Sequence, residues 1–211
     1  MKLSFYGGAG AVTGANYLIE CAGTKVLVDC GLHQGGRLAE KENYQPFPYN
    51  PSEIKALFVT HAHLDHIGRI PKLYRDGFRG DIYATHPTLD LARLNLDDSV
   101  HILKKECEEH NEEPLFVEKD VINVWKLPHG RNYHQEIKIN ENITAKFYDA
   151  GHILGSSIIE LNLSENGKKV KMVFSGDLGN PPTPLLKSTE FIDEADYVLV
   201  ESAYGDRLHE D

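Results

Sequence analysis

Short runs of alternating or continuous apolar residues fill the first 60 positions. Lys2–Tyr6, Ala15–Glu20 and Lys25–Asp29 predict strands, because apolar side chains at every second position line one face of an extended chain. The glycine-rich Gly7-Gly8-Ala9-Gly10 and the pair Ala22-Gly23 separate them as turns. Residues 35–54, with Gly35-Gly36, Pro46, Pro48 and Pro51, read as loop. Ala56–Thr60 (ALFVT) is a compact buried strand that ends directly on His61.

Helical spacing then appears. Ile67–Arg75 predicts a short helix closed by Gly77, and Asp81–Thr85 the next strand. From Pro87 to about Glu109, Leu89, Ala92, Leu96, Val100, Leu103 and Cys107 recur at intervals of three and four, which predicts one long helix with proline in its first turn. Its charged Lys104–Glu113 end reads as a solvated face. A short helix over Val117–Trp125 follows, and then strands over Gln135–Ile139, Thr144–Tyr148, Ser157–Leu163, Lys169–Ser175 and Tyr197–Glu201. Asn166-Gly167 marks a hairpin turn. Strands first, then mixed helix and strand, imply an α/β fold of two packed sheets flanked by helices, in one domain over residues 1–211.

Composition narrows the function. The 211 residues are 41% hydrophobic and 26% charged, as in an ordinary soluble protein. A formal net charge of −10 argues against bulk attraction to nucleic acid or an anionic membrane unless a local cationic site overrides it. No apolar run reaches the roughly 18 residues of a membrane span. Cys21, Cys30 and Cys107, odd in number and at no metal-binding spacing, read as reduced thiols of a cytoplasmic protein.

Histidine is the unusual residue, with 11 copies unevenly placed. His61-Ala62-His63-Leu64-Asp65-His66 follows a buried strand directly. Composition alone would produce such a string in about 0.002 chains of this length, so the signal is strong. After an extended strand, His61 and His63 point to one side and can grip one metal ion, while Asp65 and His66 can reach a second as the chain turns into a helix. Imidazole with carboxylate is a zinc-type donor set, and two adjacent ions suit an in-line displacement. A capping cluster of surface histidines is the bland alternative, but four ligand-type residues in six positions argue against it. His152, in Asp149–Ser156, and Asp177, in Phe174–Gly179, also follow strands and supply the third histidine and bridging carboxylate of a binuclear centre. Asp29 closes its own strand and is better placed to hold a ligand histidine in one tautomer than to bind metal.

These pieces resemble the metallo-β-lactamase superfamily, and more narrowly its β-CASP RNA-processing nucleases. The likeness rests on residues 7–14 (GGAGAVTG), Val28-Asp29-Cys30-Gly31, residues 60–73 (THAHLDHIGRIPKL), residues 150–156, residues 175–180 (SGDLGN) and residues 201–209 (ESAYGDRLH), where Ala203 replaces the usual threonine. The resemblance implies an αββα four-layer sandwich and two zinc ions. It implies that His61, His63 and His152 bind one ion, that Asp65 and His66 bind the other, and that Asp177 bridges both. Asp29 supports a ligand, and Glu201 partners a general-acid histidine. The implied reaction is hydrolysis of an RNA phosphodiester, leaving a 5′-phosphate and a 3′-hydroxyl.

In the family a β-CASP domain follows the motif ending at His209, and a further histidine ligand and the general acid lie beyond it. The chain is therefore expected to be the N-terminal segment of a longer enzyme, weakly active or inactive alone. RNA is the implied partner, no membrane is, and a homodimer of the full-length protein stays open. Two other functions compete: a small-molecule hydrolase of thiolesters or lactones, and a metal-binding fragment without catalysis. Residues 201–209 and the glycine-rich start argue against the former. His209 is expected near the site, whereas His33, His86, His101, His110, His129 and His134 are expected to face solvent or bond locally.

Overall fold

In the computed structural model, residues 1–110, 113–180 and 184–206 are described. Two sheets stack face to face. The first has six strands in sequence order: β1 (Lys2–Phe5), β2 (Tyr17–Cys21), β3 (Thr24–Val28), β4 (Ile54–Phe58), β5 (Asp81–Thr85) and β6 (Pro128–Arg131). The first three pair antiparallel, and β3 through β6 run parallel. The second sheet is ordered β11 (Tyr197–Leu199), β10 (Lys168–Phe174), β9 (Ser157–Glu165), β8 (Ile143–Asp149) and β7 (Ile137–Lys138).

The continuous apolar character of β3 and β4 follows from burial on both faces, as parallel strands under helices require. Val26, Val28, Ala56 and Phe58 point into the space between the sheets. Their alternates Leu27 and Leu57 point the other way, into a second core under the helices, which Ile54 joins at the irregular start of the β3–β4 pairing. In the second sheet Ile143, Ala145, Phe147, Ile159, Leu161, Met172 and Phe174 close the inter-sheet core. Phe58 sits at its centre, stacked on Tyr83 at 5.6 Å and edge-on to Phe147 at 6.4 Å between centroids. Asn166 and Gly167, both at positive φ, turn β9 into β10, as their dipeptide predicts.

Helices α2 (Leu64–Ile67), α3 (Ile70–Arg75), α4 (His86–His110) and α5 (Glu118–Val124) belong to the first sheet's outer face, where Ile67, Leu73, Leu96 and Val121 are buried. Three of the four expected layers, α/β/β, therefore lie among the described residues. On the far face of the second sheet the described cover is Leu178 and Ile192, which pack against Ala150, Ile158 and Val173.

Three expectations change. The single helix over Ile67–Arg75 is two helices, broken at Gly68-Arg69. Pro71 has no N–H to continue a helical ladder but fits the first turn of a new one. Arg69 turns inward at the break, and its guanidinium donates to the Gly31 carbonyl. Residues 35–54 are not loop throughout: Arg37–Glu42 forms α1 and Pro51–Glu53 a 3-10 turn, capped where Asn50 accepts from the Ser52 amide at 3.1 Å. Finally, Pro128-His129-Gly130-Arg131 carries no strand-like pattern yet forms β6, because β5 offers it a free parallel edge.

Candidate metal centre

The site gathers where strands of both sheets end on one side. Asp29 directly follows β3, His61 lies three residues beyond β4, His152 lies in the loop after β8, Asp177 follows β10, and Glu201 follows β11. The two sheets are tied there, since the Ser157 amide donates to the Thr60 carbonyl at 2.8 Å. Asp29 adopts a left-handed backbone (φ 56°), and Gly31 then passes so close to the Asp65 carbonyl that a Cβ would lie 1.5 Å from its oxygen. Only glycine permits that approach, which brings the Asp29 turn against the Asp65-His66 start of α2.

Four donor atoms face one another. Nε2 of His61 lies 3.0 Å from Nδ1 of His63 and 3.4 Å from Oδ2 of Asp177. Nε2 of His152 lies 3.3 Å from Nδ1 of His63 and 3.6 Å from the same Asp177 oxygen. All four atoms fall within 4.8 Å of one another. A tetrahedral ion with bonds of about 2.0–2.1 Å spaces its donors about 3.3 Å apart, close to four of these separations, while His63 Nδ1 to Asp177 Oδ2 is wider at 4.0 Å, so the set suits one small metal ion. Asp177 turns its other oxygen away: Oδ1 lies 3.2 Å from Nε2 of His66, which is 3.8 Å from Oδ2 of Asp65. One carboxylate thus faces two donor groups, with His61, His63 and His152 on one side and Asp65 and His66 on the other.

Thr60, whose role the sequence pattern does not reveal, orders the tautomers. Its hydroxyl donates to Asp29 Oδ2 at 2.8 Å, so it can only accept from His61 Nδ1, 3.1 Å away. Asp29 Oδ2 also lies 2.8 Å from His66 Nδ1. Both imidazoles therefore keep their Nδ1 protons on the protein side and aim Nε2 at the shared point. Its place beside His61 in the chain was the available signal, but only folding brings Asp29 to it.

Burial pushes the His61 imidazole down to about 4, so it is neutral near pH 7. His152 is lowered as well, chiefly by burial. Burial would also lower His66, but Asp29 and then Asp177 outweigh it and raise this imidazole to about 10. Asp177 is raised by burial yet held well below the carboxylate range by the imidazoles of His61, His63 and His66.

Asp65, His66, Asp177 and Glu201 border a cleft of about 560 Å³ that Gly8 and Tyr17 also line. Glu201 accepts from the Leu178 amide at 2.5 Å, and burial raises its carboxyl. The Arg207–His209 end of its motif lies outside the described residues. Of the other histidines, His129 meets Asp81 at 3.2 Å and His134 meets Glu190 at 3.1 Å, both solvent-facing pairs.

Relatives carry the same stretch. The chain is 36% identical over 209 residues to Ribonuclease TTHA0252 of Thermus thermophilus, covering 99% of this chain and 45% of that protein. It is 34% identical to an RNase J-like protein of Methanocaldococcus jannaschii, covering 98% of this chain and 43% of the relative. With the transcription termination factor FttA of the same organism it shares 31% identity over 97% of this chain and 32% of the relative. The chain spans less than half the length of each. Among solved structures, the FEZ-1 metallo-beta-lactamase of Legionella gormanii matches at a TM-score of 0.50 and 15% identity, over 81% of this chain and 60% of that one, a likeness of fold alone. A domain match over residues 18–200 takes in all the strands from β3 to β11 and every donor of the centre, and the chain belongs to the metallo-beta-lactamase superfamily.

Proposed function

We propose that this chain carries the binuclear zinc centre of a β-CASP-type RNA phosphodiesterase. The observation that supports it most is the two-sided Asp177, with Oδ2 toward the three histidines and Oδ1 toward His66. In this reading His61, His63, His152 and Asp177 hold one ion, and Asp65, His66 and Asp177 hold the other. Bound there, two zinc ions supply Lewis-acid polarisation of a phosphodiester and activation of water near neutral pH.

The chain's own residues prepare that chemistry. Asp29 and Thr60 keep Nε2 of His66 and His61 available, and the lowered His61 presents an unprotonated donor without competition near pH 7. Glu201, anchored by the Leu178 amide at the cleft, would partner the general-acid histidine that the β-CASP resemblance implies. The formal charge of −10 is offset locally, because two dications exceed the charge of Asp65 and Asp177. RNA as substrate is further supported by the relatives, a ribonuclease and an RNase J-like protein. Cytoplasmic location is supported by the buried thiols of Cys21 and Cys30, and no described helix is long and apolar enough to cross a membrane.

The test is a hydrolysis panel of labelled RNA, a thiolester and a lactone, run with the full-length gene product with and without chelator. RNA cleavage that stops on chelation and returns with zinc is expected. Thiolester or lactone turnover without RNA cleavage overturns the proposal.

A further inference from the structure

His152, like Asp177, lies on a loop of the second sheet, between Asp149 and Ser156, whereas His61, His63, Asp65 and His66 follow β4 of the first sheet. Within the loop, the His152 and Ile153 amides donate to Ser156 Oγ at 3.1 and 3.2 Å, and the Ser156 amide donates to the Ile153 carbonyl at 3.0 Å. These bonds set the loop's shape but not its distance from His61 and His63. That distance depends on what ties the loop to the first sheet.

Two buried hydroxyls make such a tie. Thr85, the last residue of β5, and Thr88, in the first turn of α4, are 2% and 0% exposed. Both donate to the carbonyl of Gly155, at 2.6 and 2.8 Å. The Thr88 amide donates back to Thr85 Oγ1 at 3.3 Å. Thr88 Oγ1 also lies 3.0 Å from Thr85 Oγ1, but the carbonyl is the nearer acceptor for the Thr85 proton, and with both hydroxyls on it its two lone pairs are filled. Gly155 has φ +81°, and a Cβ there would lie 2.6 Å from Thr85 Oγ1, so glycine is what lets the carbonyl reach both hydroxyls.

We infer that Thr85 and Thr88 are positioning residues for His152: by clamping the Gly155 carbonyl to the end of β5 and the start of α4, they set the imidazole's distance from His63 and Asp177. The inference rests on the reading of His152 as a ligand. Its length scale is short, because His152 Nε2 is 3.3 Å from His63 Nδ1 and an imidazole displaced by an ångström would leave the coordination sphere.

The experiment titrates the purified chain with cobalt(II), reading the visible d–d bands, and with zinc against a chromophoric chelator. Thr85→Val with Thr88→Val removes both hydroxyls at nearly constant shape, while Thr85→Ser with Thr88→Ser retains them. The valine pair is expected to bind the first ion about tenfold more weakly, within the range for lost outer hydrogen bonds. Its cobalt bands should shift, and the serine pair should match the natural chain. Thr88→Val alone, which leaves one donor, is the fallback if the valine pair does not fold, and should show a smaller loss in the same direction. Unchanged affinity and bands in the valine variants overturn the inference, as does a serine pair as weak as the valine pair. His152→Ala separates the two readings. If it weakens the first ion and the valines do not, only the clamp fails; if it changes nothing, the ligand reading fails and the clamp with it.

Discussion

Thr60 gives Asp29 two hydrogen bonds at once, its amide to Oδ1 and its hydroxyl to Oδ2, both at 2.8 Å. The residue that closes β3 and the residue that precedes the first histidine are thus locked together across two parallel strands. Asp29 is left with one direction in which to act, toward Nδ1 of His66 at 2.8 Å.

Replacing that carboxylate tests the coupling. Asp29→Asn keeps the shape but can present an amide N–H to His66 and reverse its tautomer. The second ion should bind about 10–100-fold more weakly, and the first should weaken as well, because the same amide meets the Thr60 hydroxyl that orders His61. Metal titration followed by elemental analysis reads both. Equal affinity for two ions in the variant would contradict the role assigned to Asp29.

Ion occupancy should be unequal in the natural chain. The three-histidine group offers four protein donors, and the second group offers Asp65, His66 and the shared Asp177. Fewer donors and the repulsion of a neighbouring dication both weaken the second ion. After mild chelation, metal content nearer one than two per chain is expected. Two ions lost together over one chelator range would count against separate sites.

Stability without metal should depend on pH in a defined direction. His66 is raised from its ordinary 6.5 to about 10 in the folded chain. Its charged form then contributes stability that is complete below about pH 6.5 and is lost as pH rises toward about 10. Zinc replaces the proton that His66 shares with Asp177, so added zinc should restore the thermal midpoint most at the alkaline end. Melting curves from pH 7.5 to 9.5, above the range in which the lowered His61 and His152 take up protons on unfolding, with and without zinc, would reveal it. A metal-free midpoint that rises with pH over this window would refute the assignment.

The inter-sheet core should be unforgiving at Phe58, which is fully buried against Tyr83 and Phe147. Phe58→Ala should cost about 3–5 kcal/mol, since the rigid sheets on either side cannot close the cavity. Denaturant titration of the metal-free chain measures this directly. A loss below about 1 kcal/mol would mean that the sheets collapse onto the gap.

The sequence by itself determined much of the chain's local order. The period-two strands, the turn at Asn166-Gly167 and the long helix from His86 were legible because backbone geometry makes spacing visible in one dimension. The His61–His66 cluster was legible for the same reason, its donors being neighbours along the chain. What spacing could not convey was anything supplied by another strand. The edge strand Pro128–Arg131 exists only because β5 pairs with it, and the break before Pro71 is filled by Arg69 reaching the Gly31 carbonyl. The bond from Thr60 to Asp29, the clamp from Thr85 and Thr88 to Gly155, and the division of Asp177 between two donor groups join residues 31, 67 to 70 and 111 to 116 positions apart. Such contacts depend on strand register and on the stacking of two sheets, which only the tertiary structure decides. Residue type announces a hydroxyl or a carboxylate, but its partner is whatever packing brings within about 3 Å.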